Sequence, residues 1–403
     1  MSITTVKNPR AATLALFAVV FVNLVGFGII IPLLPFYSEH YGAAPDTVTL
    51  VMAVYSAAQF LTAPLWGRMS DRFGRRPILI ASLAGTLVSY LWLAYANDLW
   101  QLFASRTLAG FMAGSIAGAF AYMADITDET NRSRGMGMIG AAFGLGFIAG
   151  PAIGGVLAGD DPANLDFRLP ALFAVGCCLA ALVLATFLLP ESLSAETRRR
   201  MAERTSHERR GEFRAALKMP GVRPVVLLTF LSVFAFAGLE AVFALWSERT
   251  YGWSARQNGY VFALLGLVSA MIQGGLIGRL NKRFGEAGLV RQGFVTLALG
   301  LASIPFATKL PLLILALVVA TYGFSVVQPA LSSLLTFGVP SGSVGGLIGI
   351  GRSAQTLARA GGPVFAGFVF DTFGKDWPFL SAAAILVVVL ALSSRLIRSP
   401  RSS

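Results

Sequence analysis

The sequence predicts an all-α membrane protein with twelve transmembrane helices in two six-helix halves, and three observations support this prediction. First, 55% of the 403 residues are hydrophobic, only 13% are charged, and the mean hydropathy is +0.69, which is far from the usage of soluble domains. Second, uncharged stretches recur that are long enough to cross about 30 Å of hydrocarbon as helices. Third, short motifs of the first half return in the second. Twelve spans leave no room for a soluble catalytic domain, so we expect neither an enzyme nor a nucleic-acid-binding protein.

Charge-poor stretches define the spans. We place them at 12–37, 48–67, 77–96, 100–123, 135–158, 169–189, 222–246, 257–278, 289–308, 311–336, 344–368 and 377–395. The chain then divides into an N-terminal half (1–189), a cytoplasmic basic linker (190–221) and a C-terminal half (222–403). The apolar run from 11 to 38 is too long for a signal peptide and predicts a retained first span.

Positive charge predicts the orientation. With the amino terminus inside, 24 of the 32 Lys and Arg residues fall in cytoplasmic segments or at the cytoplasmic ends of spans (Arg223, Arg291 and Arg395), and five fall outside. The remaining three, Arg106, Arg352 and Arg359, lie within spans. The positive-inside rule therefore predicts that both termini are cytoplasmic, and we expect a bacterial inner (cytoplasmic) membrane. The linker carries much of the basic charge, which predicts that it rests on anionic head groups; recruitment of a partner is the alternative.

The two halves repeat one another at offsets between 209 and 212. The repeated pairs are 67–76 with 278–285, Gly150-Pro151 with Gly362-Pro363, and 36–39 with 245–248. Both copies enter the membrane in the same orientation. Parallel repeats of this kind predict a central cavity between two halves and transport by alternating access.

The loop after span 2 carries a family resemblance. Its motif residues are Gly67, Asp71, Arg72, Gly74, Arg75 and Arg76. Gly67 and Gly74 are expected to permit a tight turn, and the arginines are expected in the head-group layer. Together with the intramembrane arginine motif that begins at Arg106 in span 4, this loop resembles the major facilitator superfamily. The resemblance covers nearly the whole chain and implies the major facilitator fold.

Small residues recur in spans 5 and 8. The span 5 motif contains Gly146, Gly150, Pro151, Gly154 and Gly155 and is similar to the motif characteristic of exporters. Span 8 carries Gly266, Ala270, Gly274 and Gly278 at a spacing of four. Both stripes predict close helix packing, along which the two halves are expected to slide.

The first half resembles the tetracycline/proton antiporter branch of drug efflux proteins more narrowly, through the span 5 motif and residues 25–35 and 122–128. That branch carries acids in helices 1 and 3, at positions that correspond to Asn23 and Ser89 in this sequence. Neither side chain can take up a proton as an acid. A proton route through this chain therefore has to use other residues.

Glu240 in span 7 is the acid placed most deeply in a span. An unpaired carboxylate there is costly, so Glu240 must face a cavity, pair with a cation or remain protonated. We interpret it as the proton- or cation-coupling residue; a structural ion pair or exposure at the outer mouth is the alternative. Arg106 reaches a similar depth and could meet Glu240. The alternative for Arg106 is donation to carbonyls that Pro151 frees in span 5.

Asp125, at the cytoplasmic end of span 4, is expected beside the loop 72–76. A charge cluster there predicts a latch that closes the inner gate in one state, and we count Asp125 among the proton-coupling candidates. Simple surface pairing is the alternative. Arg352, near the start of span 11, is the expected partner of Asp71, by the resemblance and by the cytoplasmic position of both.

A substrate site is expected near the midplane, among aromatic and amide side chains for which packing is the alternative. Its candidates are Asn23, Phe27, Tyr55, Gln59, Phe143, Phe236, Gln273, Phe324 and Gln328. Expected partners are a small-molecule substrate, protons and membrane lipids. We expect a monomer without nucleic acid, cofactor or bound metal.

The leading hypothesis is a proton-coupled exporter of amphipathic, cationic or zwitterionic small molecules. A lipid or metabolite transporter of the same fold is a second hypothesis. A non-transporting receptor or sensor is a third, which the complete gate motif disfavours.

Overall fold

The computed structural model describes residues 8–127, 131–159, 165–203, 217, 219, 221–336 and 344–396. Helices dominate these residues, and nine helical stretches among them are long and apolar enough to cross a membrane. One of the nine, Ala255–Phe306, contains two predicted spans. All twelve predicted spans lie on helices, so the predicted fold class is confirmed.

The first six spans correspond to eight helices. These are α1 Pro9–Ile30, α2 Leu34–His40, α3 Pro45–Phe73, α4 Arg75–Ala94, α5 Leu99–Ala113, α6 Ile116–Ile126, α7 Arg132–Ala158 and α8 Arg168–Leu188. Span 1 is broken between α1 and α2, next to Pro32, which has no N–H to donate. Span 4 is broken between α5 and α6 at Gly114 and Ser115.

The described residues of the linker and the second half form seven helices. These are α9 Ala195–Glu203, α10 Val222–Tyr251, α11 Ala255–Met271, α12 Ile277–Ser303, α13 Leu310–Thr336, α14 Val344–Phe373 and α15 Trp377–Leu396. A π-helical turn, Ile272–Leu276, connects α11 to α12. The break between spans 8 and 9 lies inside α12, at Gly285, where φ is +65°.

The helices form two compact units, and each unit takes pieces from both predicted halves. The first unit contains α1, α2, α4 to α9, most of α3, and residues 247–266. The second contains the first turns of α3, the part of α10 that ends at Trp246, and the chain from 267 onward. In the first unit α1 packs against α7 and α8, and in the second α12 packs against α13 and α15. The predicted division at 190–221 stays a prediction.

The sequence repeat is also a repeat of backbone conformation. Gly74 has φ +109° at the end of α3, and its counterpart Gly285 has φ +65°. Glycine adopts such angles without the steric cost that a Cβ imposes. A glycine with positive φ therefore follows both span 2 and span 8.

The prediction that Gly67 lies in the turn is wrong. Gly67 lies inside α3, which continues to Phe73, and a Cβ at Gly67 would meet no atom within 4 Å. Once the chain leaves the hydrocarbon nothing in 68–73 interrupts the helix, and Arg68 donates from Nε to the carbonyl of Pro64 at 3.2 Å. Only Gly74 supplies the positive φ of this turn.

Candidate functional site

Arg75 is the centre of a charge cluster at the predicted cytoplasmic end of the first unit. Its Nη1 donates to Asp71 Oδ1 at 2.8 Å and to Ser70 Oγ at 3.2 Å. Its Nε donates to Asp125 Oδ2 at 3.1 Å, and Ser192 Oγ donates to the same oxygen at 3.0 Å. The expected proximity of Asp125 to this loop is confirmed. One buried guanidinium thus joins two carboxylates from different helices.

Glu191 belongs to this cluster, and sequence reasoning assigned it no role. Its carboxylate accepts the backbone N–H groups of Arg75 at 3.0 Å and Arg76 at 3.2 Å. These N–H groups lie in the first turn of α4, where no intrahelical acceptor exists and the helix dipole favours an anion. A Cβ at Gly74 would collide with the Glu191 carboxylate. The sequence feature that could have indicated this role is the position of Glu191, an acid that directly follows Pro190 at the end of span 6.

The other members of the loop motif make separate contacts. Arg76 Nη2 donates to the Thr186 carbonyl of α8 at 2.6 Å. The guanidinium of Arg72 lies 5.4 Å from the ring centroid of Phe73, and the side chain is exposed. Arg352 belongs to the second unit, so its pairing with Asp71 stays a prediction.

Three glycines of α7 allow this helix to pack closely against α1. A Cβ at Gly146 would lie 2.7 Å from Leu24 Cβ, and a Cβ at Gly150 would lie 2.6 Å from the Cα of Gly28. A Cβ at Gly154 would collide with the carbonyl of Ile29. Pro151 lies within the same helix. The backbones therefore approach to a distance that only glycine permits, as the small-residue stripe predicts.

The other face of α7 contacts α11 through glycine as well. A Cβ at Gly155 would lie 3.1 Å from Gly259 Cα. A Cβ at Gly266 would lie 3.0 Å from a backbone carbonyl oxygen of α7. The predicted stripe fails further along span 8, because Cβ atoms at Gly274 and Gly278 would meet no atom within 4 Å. The π-helical turn Ile272–Leu276 changes the direction of side chains there. Close packing therefore holds only at the α11 end of the stripe.

Arg106 on α5 is buried, with 4% of its surface exposed. Its guanidinium lies 4.7 Å from the ring centroid of Tyr55 and 5.9 Å from that of Phe27. Within the residues that the structure describes, its Nε and Nη1 have no hydrogen-bond partner. They therefore do not donate to the carbonyls near Pro151, which was one expectation. The Oδ1 of Asn23, one turn before Phe27, is also buried without a partner in this part of the chain.

The two remaining candidates of the first unit have structural contacts. Gln59 Nε2 donates to the Ala113 carbonyl at 3.2 Å, at the last residue of α5. Helix ends leave such carbonyls without intrahelical donors. Phe143 lies 6.0 Å from Phe120, measured between ring centroids. The amide of Gln59 therefore stabilises the break between α5 and α6, and this contact explains why a glutamine stands at this position.

Glu240 and Arg359 form an ion pair between α10 and α14 in the second unit. Arg359 Nη1 donates to Glu240 Oε2 at 2.8 Å, and the two side chains are 38% and 20% exposed, respectively. Glu240 thus has a cation as the membrane environment requires, and that cation is Arg359. Arg106 belongs to the first unit, so its meeting with Glu240 stays a prediction. Sequence reasoning placed Arg359 inside a span without giving it a role.

Amide and hydroxyl groups extend this region of the second unit. Gln355, one turn before Arg359 on α14, donates from Nε2 to Gln328 Oε1 at 3.1 Å. Gln328 Nε2 in turn donates to Ser232 Oγ on α10 at 3.1 Å. Gln355 was missed, although its spacing of four from Arg359 was a usable signal. Three helices therefore share one polar network.

The other predicted residues of the second unit pair with one another or with serine. The rings of Phe236 and Phe324 are stacked with centroids 4.0 Å apart. Gln273 Nε2 donates to Ser269 Oγ at 2.9 Å, and Ser325 Oγ donates to the same hydroxyl at 2.9 Å. The predicted substrate residues thus form separate clusters within each unit. Their binding role stays a prediction.

A second charge cluster joins the end of α2 to the end of α10, both within the first unit. Arg249 Nη2 donates to Glu39 Oε1 at 3.3 Å, and Glu39 also contacts Glu248. Burial and the Glu248 carboxylate raise the pKa of Glu39 from 4.5 to about 7, while Arg249 opposes this shift. Glu39 and Glu248 occupy equivalent positions of the sequence repeat. That repeat was the signal from which the cluster could have been found.

Comparison with known proteins identifies similar families and structures. The profile described as Major Facilitator Superfamily matches residues 16–363. The chain is 33% identical to "Tetracycline resistance protein, class C" of Escherichia coli, over 94% of this chain and 96% of that protein. It is 31% identical to "Multidrug resistance protein 2" of Bacillus subtilis, over 96% of each chain. Both resemblances that the motifs carry, to the superfamily and to the tetracycline branch, are confirmed.

A solved structure shares the fold across the chain. The human organic anion transporter MFSD10 superposes with a TM-score of 0.73 at 28% identity, covering 96% of this chain and 100% of that one. The similarity extends through both six-helix halves, in agreement with the helix assignment.

Proposed function

Because the chain belongs to the Major Facilitator Superfamily, we propose that this transporter exports amphipathic small molecules by alternating access in exchange for protons. The ion pair between Glu240 and Arg359 is the observation that carries the proton coupling. The glycine contacts of α7 carry the proposed direction of transport. Curated relatives that confer resistance to tetracycline and to several drugs support a substrate of drug size.

The coupling step follows from the chemistry of the pair. Ionised Glu240 accepts a hydrogen bond from Arg359 at 2.8 Å, which holds α10 to α14. A proton on Glu240 removes the negative charge and with it most of the attraction. Protonation therefore changes the free energy of the contact between two helices of the second unit, and this change is the proposed link between the proton and the conformation.

Close packing between α10 and α14 is expected to convert the loss of the ion pair into a movement of the helices. Gly238 lies two residues before Glu240, and a Cβ there would lie 3.4 Å from the carbonyl of Gly362. A Cβ at Gly362 would itself collide with the carbonyl of Phe234. Packed surfaces of this kind have few alternative arrangements. Loss of the ion pair is therefore expected to shift the helices between discrete states.

The Arg75 cluster supplies the proposed inner latch. It joins α3, α4 and α6 through Asp71, Arg75 and Asp125. Ion pairs that exist in one state and are absent in the other bias a conformational equilibrium. We propose that this cluster stabilises the state in which the cytoplasmic side is closed.

The membrane setting of the proposal follows the charge distribution. An excess of Lys and Arg in cytoplasmic loops supports cytoplasmic termini and a bacterial inner membrane. We propose that the protein is a monomer and that it interacts with protons and membrane lipids as well as with its substrate. A lipid or metabolite transporter of the same fold is the competing hypothesis, and the substrate panel below separates the two.

Reconstituted vesicles test the coupling. Tetracycline and a panel of amphipathic dyes are offered with and without an imposed pH gradient, and a protonophore serves as the uncoupler. We expect gradient-driven accumulation by the native protein, and gradient-independent, downhill exchange by Glu240→Gln. The matched control is Asp371→Asn, which neutralises an exposed acid on α14. Gradient-driven accumulation by Glu240→Gln at the native rate would reject the coupling role of Glu240.

A further inference from the structure

Arg106 is a buried cation whose charge lacks a counterion in the described part of the first unit. Only 4% of its surface is exposed, and Nε and Nη1 make no hydrogen bond there. Removing a guanidinium from water costs several kcal/mol unless a carboxylate or several hydrogen bonds replace the water. The aromatic rings of Tyr55 and Phe27 recover part of that cost by cation–π attraction. They supply no acceptor for the two unpartnered nitrogens.

The residues around Arg106 resemble one side of a ligand site. Phe27, Tyr55 and Asn23 each keep part of their surface accessible. The Oδ1 of Asn23 is a second buried polar atom without a partner. Gly110, one turn after Arg106, brings the Tyr55 backbone close, since a Cβ at Gly110 would collide with the Tyr55 carbonyl. Apolar faces with few unsatisfied polar groups are typical of small-molecule sites.

Neighbouring side chains do not neutralise the charge. Asn23 and Ser89 occupy the positions at which the tetracycline branch carries acids, by the resemblance noted above. Ser89 donates from Oγ to the Thr86 carbonyl at 2.7 Å. The charge left without a partner among these residues is therefore positive.

We propose that Arg106 binds the anionic group of an amphipathic substrate, a carboxylate, enolate or sulfonate, whose apolar body lies against Phe27 and Tyr55. The proposal rests on the transport function proposed above and assigns its substrate class. The expectation of a cationic or zwitterionic substrate is the competing hypothesis. A planar guanidinium with free N–H groups suits an oxyanion because it can donate two parallel hydrogen bonds.

Binding of matched probes to the full-length protein in lipid nanodiscs tests the proposal. The probes are 2-naphthoate and 2-naphthamide, which share one aromatic body and differ in charge at neutral pH. Calorimetric titration is done without any gradient, so binding is measured independently of transport. The variants are Arg106→Gln and Arg106→Lys. The control is Arg168→Gln, because exposed Arg168 also stacks on an aromatic ring, 4.9 Å from Tyr95.

We expect the native protein and Arg168→Gln to bind 2-naphthoate about tenfold or more tightly than 2-naphthamide, the ratio expected for a charge-assisted hydrogen bond. Arg106→Gln should bind both probes with equal affinity, and Arg106→Lys should keep part of the ratio. We also expect Arg106→Gln to melt no lower than the native protein, because an uncompensated buried charge is lost. If Arg106→Gln fails to fold, the arginine is structural and the proposal is overturned.

Three further results would overturn the proposal. These are equal affinity of the native protein for the two probes, the absence of naphthoate binding, and an unchanged ratio in Arg106→Gln. Chloride is tested as a competitor: full displacement of naphthoate at equimolar chloride would assign the site to an inorganic anion. Naphthoate binding without transport of any compound would instead reject the proposed export and leave the anion site intact.

Discussion

Arg75 donates from Nε to Asp125 Oδ2 at 3.1 Å, although these residues lie 50 positions apart in the chain. The same guanidinium holds Asp71 at 2.8 Å. Within the loop motif Arg75 makes these ion pairs, whereas Arg72 is exposed and contacts the ring of Phe73. Any change of state that separates α3 from α6 has to break at least one of these two ion pairs.

The first prediction concerns this cluster. Arg75→Gln leaves Asp71 and Asp125 without their shared cation, so we expect transport to fall about tenfold or more. Arg68→Gln is the control, since Arg68 is an exposed arginine of α3, the helix that precedes Arg75. Vesicle efflux with equal protein amounts is the measurement. Native efflux by Arg75→Gln would remove the latch from the mechanism.

The second prediction concerns the contact between α7 and α1. Gly150→Ala places a Cβ 2.6 Å from Gly28 Cα, and overpacking of this kind costs about 1–3 kcal/mol. Gly140→Ala on the same helix meets no atom within 4 Å and is expected to stabilise by about 0.4–1 kcal/mol. Thermal unfolding should therefore move in opposite directions for the two variants. A shift of the same sign would contradict the packing of α7 on α1.

The third prediction separates a structural role of Glu240 from a coupling role. Arg359→Glu sets two carboxylates against each other and should lower the melting temperature. Adding Glu240→Arg restores an ion pair in the reverse direction, and we expect the melting temperature to recover. Gradient-driven transport should remain lost, because the carboxylate proposed for coupling has moved to α14. If both the melting temperature and gradient-driven transport recover, the role of Glu240 is structural and not one of coupling.

The fourth prediction is a pH dependence at the contact between α2 and α10. The pKa of Glu39 is raised to about 7, so the contact binds a proton more tightly than the separated residues do. Lowering the pH through 7 therefore strengthens the contact, and raising it restores the repulsion between Glu39 and Glu248. Arg249 donates to Glu39 and opposes the rise of the Glu39 pKa.

Spin labels in α2 and in the last turn of α10 measure this effect as a distance. We expect the distance distribution to broaden toward longer values between about pH 6 and 8, the interval around the raised pKa. Glu39→Gln keeps the side chain neutral at every pH, and its distance should not change. A pH response that persists in Glu39→Gln would assign the titration to another group.

The local sequence was sufficient to predict where helices occur, but it was not sufficient to predict where they end. A helix costs little to extend once its backbone is in water, so α3 runs past the hydrocarbon to Phe73 and spans 8 and 9 meet at Gly285 without an intervening loop. Gln59 has a residue type that suits a ligand, yet it caps the carbonyl of Ala113. That carbonyl is free only because span 4 is broken at Gly114, which hydropathy does not reveal.

The sequence by itself determined that the protein crosses the membrane twelve times, because bilayer thickness imposes a length and an apolar composition on every span separately. It also determined the repeat, since equivalent positions carry the same residues. The tertiary structure alone decided that Glu240 pairs with Arg359, that Glu191 caps α4, and that Arg106 faces two aromatic rings. Such contacts depend on the rotation and depth of one helix against another, and packing between distant segments sets both quantities.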